Sequence, residues 1–140
     1  MILYLHGFTS GPQSRKVQAL ASRMAQHGIA DRLLCPQLPA SPAAAIALAA
    51  DRLGKVGAGG TAVTLVGSSL GGFYATWLAG RRGCKLVVLN PAVDPARDLA
   101  AHIGEQSAWH DPAERFFFRP DYVEELRALR TGPPVRSCDM

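Results

Sequence analysis

Apolar positions along this chain follow two alternating patterns: short continuous runs, and longer stretches with apolar residues at helical spacing. Ile2 to Leu5 is a run of the first kind, expected to be a buried strand. Val17, Leu20, Ala21 and Met24 then recur at i, i+3, i+4 and i+7, with Gly28 as a stop, which predicts a helix. A second short strand is expected at about Arg32 to Cys35, running into Pro36-Gln37-Leu38-Pro39. Ser41 followed by Pro42 is an N-cap with a proline suited to the first helical position. The helix it opens turns Ile46, Ala49, Ala50 and Leu53 inward and stops before Gly57-Ala58-Gly59-Gly60. A third run, Thr61 to Val66, enters Gly67-Ser68-Ser69-Leu70-Gly71. A helix with Phe73, Trp77 and Leu78 follows and ends near Gly80 to Gly83. The fourth strand, Cys84 to Leu89, is apolar apart from Lys85 and ends at Asn90-Pro91.

Strand and helix thus alternate as βαβαβαβ. The fold class this implies is α/β, with a mostly parallel sheet and helices on both faces. Sites in such sheets lie at the carboxyl ends of the strands. Three turns fall at that edge: His6 to Gly11, Gly67 to Gly71 and Asn90 to Asp94. After Asn90 the strand signals stop, and helices are expected at Pro95 to Ile103 and Pro120 to Arg130. Between them lies an aromatic group, Trp109, Phe116, Phe117, Phe118 and Tyr122, with His110 among it. Packing into the core is its expected role, and a cap over the cleft requires part of it to face the site.

The turn Gly67-Ser68-Ser69-Leu70-Gly71 sits between strand and helix, the context in which G-x-S-x-G forms a nucleophile elbow. Such a turn forces Ser69 into a strained backbone conformation, and Gly67 and Gly71 omit side chains where strand and helix approach. A serine hydroxyl needs a base to take its proton, and the anion formed on the attacked carbonyl needs donors. In hydrolases with this elbow one donor is the backbone N–H after the nucleophile, here Leu70. The other comes from the loop after an early strand, His6-Gly7-Phe8, so the Phe8 N–H is the candidate, with Gly7 letting the backbone turn inward. His6 at a strand end is expected to orient that loop rather than to act as the base.

The chain has 140 residues, 48% of them hydrophobic and 19% charged, which fits one globular domain and disfavours disorder. The net charge of +4 comes from arginines scattered among acids, so a solvated basic surface is expected and no nucleic-acid partner. Cys35, Cys84 and Cys138 lack metal-ligand spacing and are expected as reduced, buried thiols of a cytoplasmic protein. No basic leader precedes Ile2, so no signal peptide is expected. No apolar run reaches the roughly 18 residues of a membrane span.

Leu3-Tyr4-Leu5-His6-Gly7-Phe8, the run from Gly67 to Leu78, and Asn90-Pro91-Ala92-Val93 together resemble the YqiA/YcfP-type esterases, small bacterial α/β-hydrolases. Pro36-Gln37-Leu38-Pro39 matches as well, and the likeness covers about residues 2 to 130. It implies a three-layer α/β-hydrolase fold. It also implies a carboxylesterase-like serine hydrolase of short acyl esters, with Ser69 as nucleophile and no metal or organic cofactor. Members of the family continue with two more strands, carrying a Thr-Gly-Asp-Glu-like segment with the triad acid and a Gly-Asn-His-like segment with the base. Neither segment occurs in these residues, so the resemblance implies a C-terminally truncated hydrolase with impaired activity. The remaining candidates are His102 or His110 as base with Asp94 or Asp98 as acid. The alternative is an inactive α/β-hydrolase remnant serving as a binding or assembly module.

The expected organisation is a single domain over 1–140. Residues 1–90 form the core, 91–130 a helical cap-like segment and 131–140 a loose tail. Without further strands the fourth strand, 84–89, is a bare edge, from which homo-oligomerisation is expected.

Overall fold

In the computed structural model, which describes residues 1–109 and 111–129, the core is built on four parallel strands. These are β1 (Ile2–Leu5), β2 (Leu33–Leu34), β3 (Thr64–Ser68) and β4 (Lys85–Leu89), in the spatial order β2-β1-β3-β4. Register pairs Tyr4 with Val66 and Val66 with Val87, so these three share one face of the sheet. Leu3, Leu65 and Leu86 share the other.

Helices cover both faces, as the near-continuous apolar runs require. On the Tyr4 face lies α1 (Arg15–Gln26), whose Val17 packs with Tyr4 and Val66. On the Leu3 face, α2 (Pro42–Val56) and α3 (Leu70–Arg82) contribute Ala45, Ile46, Ala49, Leu53, Phe73, Tyr74 and Leu78 to one large core. The α1 N-cap is Ser14, whose hydroxyl accepts from the Val17 amide. Ser41 caps α2 by accepting from Ala44, with Pro42 in the first turn, as its Ser-Pro sequence predicts. Gly83 ends α3 in the left-handed conformation at φ 67°.

The first strand spans Ile2–Leu5 as expected, while the second is shorter than its apolar run suggests. Ala30–Arg32 closes as a 3-10 turn, leaving two residues of β2. Beyond β4 the sequence reading needs correction. The helix expected over Pro95 to Ile103 is α4 (Pro95–Leu99) plus a 3-10 turn at Ala100–His102, and Ile103 is exposed. After Asn90, where no further strand is expected, β5 (Gly104–Ser107) and β6 (Arg115–Phe118) form an antiparallel pair. Period-two alternation explains β6: Phe118 is fully buried and Phe116 half-buried, while Phe117 between them is 58% exposed. Trp109, expected among the packed aromatics, is exposed.

The last described helix, α5 (Pro120–Ala128), packs Val123 and Leu126 into the large core. Its Glu125 carboxylate accepts from the Ser41 hydroxyl at 2.8 Å and the Ala43 amide at 3.0 Å, tying α5 to the N-terminus of α2. Burial raises the pKa of the Tyr74 phenol, and the charge of Glu125 adds to the shift. Cys35 and Cys84 are free and half-buried rather than buried. Burial pushes the Cys35 thiol up to about 12. Cys138 and the tail expected at 131–140 lie outside the described residues.

Candidate active site

Ser69 stands between β3 and α3 with φ 54° and ψ −121°, a region that a residue with a side chain rarely occupies. Holding it there costs of order 1–3 kcal/mol, which the surroundings must offset. They grip the backbone from both sides. The Ser69 amide donates to the Leu89 carbonyl at 3.1 Å, and its carbonyl accepts from the Ala92 amide at 2.9 Å. The turn after β4 therefore clamps the elbow.

Close packing explains the glycines. A Cβ on Gly71 would lie 2.0 Å from the Leu5 carbonyl oxygen, and one on Gly67 would lie 2.4 Å from that of Gly71. A Cβ on Gly7 would meet the Ser69 Cβ at 3.0 Å and its Oγ at 3.6 Å, so the loop after β1 passes directly beside the serine. All three strand-end turns thus meet at Ser69, which is itself exposed.

Leu70 is the first residue of α3, so its N–H has no acceptor within the helix, and the positive end of the helix dipole lies beside Ser69. Among the described residues no backbone hydrogen bond uses the Phe8 N–H. The Phe8 ring is held edge-on by Phe118 at 5.2 Å, Phe116 at 5.8 Å and His102 at 5.9 Å. The Trp109 amide donates to the Thr9 carbonyl at 2.8 Å. The β5–β6 pair thus braces the loop that carries Gly7 and Phe8.

His6 is buried and serves the scaffold. Its Nε2 accepts from the Leu38 amide at 2.8 Å and lies 3.2 Å from the Gln37 amide nitrogen, which leaves the proton on Nδ1, 2.9 Å from the Gly7 carbonyl. A histidine so engaged gives up these bonds before it can take a proton from Ser69. Asp94 is committed too, since its Oδ1 caps α4 by accepting from the Arg97 amide at 3.3 Å. Asp98 pairs with Arg97 at 3.1 Å on the surface. The candidate base His110 lies outside the described residues. Among the described residues no imidazole or carboxylate hydrogen-bonds the Ser69 hydroxyl.

Two cavities flank the His6–Phe8 loop. The larger, about 230 Å³, opens on the Leu3 face of the sheet, with Phe8, Leu38, Leu70, Tyr74 and Phe116 among its walls. The smaller, about 130 Å³, opens on the Tyr4 face and includes Ser69, Ser68 and Lys16. Sequence reasoning missed Gln37, which reaches His6, and Lys16, whose Nζ donates to the Ser68 hydroxyl at 3.4 Å. Both stand outside the glycine and serine signals, and only the Pro-Gln-Leu-Pro match touched on Gln37.

The model of the uncharacterised protein family UPF0227 matches residues 1–134. The chain belongs to that family. The YqiA/YcfP resemblance of its motifs points to the same family. Solved structures similar to this UPF0227 chain include a putative hydrolase from Agrobacterium vitis S4, 20% identical with a TM-score of 0.64. Another, also 20% identical at 0.64, is described with LipS and LipT, two metagenome-derived lipolytic enzymes. A third is Est1E from Butyrivibrio proteoclasticus with ferulic acid bound, 18% identical at 0.59. The alignments cover 92%, 91% and 93% of this chain but 60%, 64% and 61% of those structures. The chain therefore spans about three fifths of their length. The shared fold is that of the α/β-hydrolases, with Ser69 at the turn into α3.

Proposed function

We propose that this chain is a carboxylesterase-like serine hydrolase of short acyl esters with Ser69 as nucleophile and impaired activity. Ser69 Oγ bonds to the acyl carbon and gives its proton to water, the carbonyl π pair becomes the oxyanion that the Leu70 and Phe8 amides receive, and its collapse expels the alcohol, which takes up a proton. The observation that carries this reading is the φ 54° conformation of Ser69 at the start of α3, with the Gly7 backbone against its side chain. The larger cavity has an apolar side at Leu38, Leu70 and Phe116, beside Gln37 and Glu114, and that side suits a short acyl chain. Each oxyanion donor contributes roughly 10²–10³ in rate. The test is covalent labelling of the purified chain by a fluorophosphonate probe. Labelling of Ser69 that disappears in Ser69→Ala supports the proposal. Absence of labelling in the unaltered chain overturns it.

A second reading, an α/β-hydrolase remnant acting as a binding or assembly module, is favoured by the lack of any described base hydrogen-bonded to Ser69. Ester turnover by the chain counts against it. With either reading we place the protein in the cytoplasm, in keeping with the free thiols of Cys35 and Cys84 among the described residues. Self-association through the exposed edge β4 is compatible with both.

A further inference from the structure

The smaller cavity beside Ser69 is chemically one-sided. Among the described residues Tyr4, Ser10, Ser14, Lys16, Ser68 and Ser69 supply its polar side chains apart from His6, and no carboxylate lines it. Tyr4 is 1% exposed, and its hydroxyl makes no hydrogen bond among the described residues, although Ser68 lies near enough to favour the phenolate slightly. A buried hydroxyl without a partner costs free energy unless something that enters the cavity satisfies it. Burial raises the Tyr4 pKa above its ordinary value, so the group is an O–H donor at neutral pH. Lys16 Nζ reaches Ser68 and, among the described residues, forms no ion pair with an acid. The Ser14 hydroxyl accepts from Val17, which leaves its proton available to donate. An ammonium, a phenol and several hydroxyls around about 130 Å³ would hold on the order of four waters, or one small oxyanion.

We infer that this cavity is an anion subsite that binds a carboxylate or phosphate group carried by the substrate, held between Lys16, Tyr4 and Ser68. The inference rests on reading Ser69 as the nucleophile, because that serine lines the same cavity. It adds a substrate class: an ester with an anionic group close to the reacting carbonyl. The geometry divides the two ends of such a molecule. Its apolar part lies on the Leu3 face of the sheet and its charged part on the Tyr4 face, with the His6–Phe8 loop between them.

The test reads binding rather than turnover, so a serine that fails to label does not decide it. The full chain, ¹⁵N-labelled, is titrated at constant ionic strength with inorganic phosphate and, separately, with acetate. Saturable shifts of the Gly7 and Ser69 amides are expected with at least one of them, and which one responds identifies the anion class. Lys16→Met should weaken that binding at least about tenfold, as expected for loss of a charge-assisted contact. Tyr4→Phe, which keeps the buried ring, should weaken it less. Lys55→Met, on the far end of α2, is the control and should leave affinity unchanged. Absence of saturable shifts with both anions, or affinity indifferent to Lys16→Met, overturns the subsite.

Discussion

At the scale of single residues, the site is made by what is left out of it. Gly71 lets α3 press its first turn against the end of β1, where even a methyl group would meet the Leu5 carbonyl oxygen at 2.0 Å. Main chain cannot swing aside as a flexible side chain can. Gly71→Ala is therefore expected to destabilise the fold by about 3 kcal/mol or more. Gly80, ten residues into the same helix, has open space where its Cβ would be. Gly80→Ala should stabilise by about 0.5–1 kcal/mol, since alanine is the better helix former. Urea unfolding of the two variants against the parent chain checks both signs together. Much of this was legible in the sequence, because G-x-S-x-G between strand and helix has few structural solutions. His6 reads in the sequence as a residue that orients the loop, but its partners are not legible there. Gln37 and Leu38 come from a loop more than thirty residues away, and no local pattern announces such a bond.

At the scale of elements, the sequence spoke clearly wherever one period persisted. The α2 helix began at Ser41-Pro42 as its capping residues required. The α3 helix ended near its terminal glycine for a similar local reason. The β5–β6 pair was misread because four residues of strand are too few to separate from an aromatic cluster by composition alone. Phe116, Phe117 and Phe118 looked like one packed group, yet they alternate between site, solvent and core. The hairpin is held to the rest through Phe8 and Trp109, while its surface ion pair only joins β5 to β6. Glu105 and Arg115 bond at 2.7 Å but are 60% and 63% exposed, so water screens them. A more consequential contact at this scale is the carboxylate of Glu125 on the first turn of α2. Glu125→Ala removes a partner of Ser41 and of the Ala43 amide at the positive end of a helix. It is expected to cost about 1–2 kcal/mol, read as a lower midpoint of thermal unfolding.

At the scale of the whole molecule, the sheet has a flank that none of the described residues covers. Val87, Val88 and Leu89 of β4 are 47%, 38% and 38% exposed, and β4 is the edge of the sheet beyond β3. An apolar parallel edge with free backbone donors and acceptors is a template for another strand. We expect the chain to associate with itself through this edge, with a sedimentation coefficient that rises with concentration over the micromolar range. Val87→Lys should shift the chain towards monomer. A monomer at every concentration in the unaltered chain would remove the edge argument. The sequence marks 84–89 as a strand by its apolar run, and its place at the edge of the sheet leaves that run exposed. Burial depends on neighbours in space, and a linear pattern reports only which residues prefer them.

The clamp on Ser69 joins these scales. Its amide is bonded to the last residue of the edge strand, and its carbonyl to the turn that follows. Edges of sheets fray first, and cooperative opening units follow such boundaries. The serine should therefore belong to the same local opening unit as β4. In native-state hydrogen exchange, the amides of Ser69 and Ala92 should exchange together with β4, ahead of Leu5 at the centre of the sheet. Anything that pairs with the edge would slow them all. The order of Ser69 is then set by the occupancy of a surface on the far side of the strand from the His6–Phe8 loop.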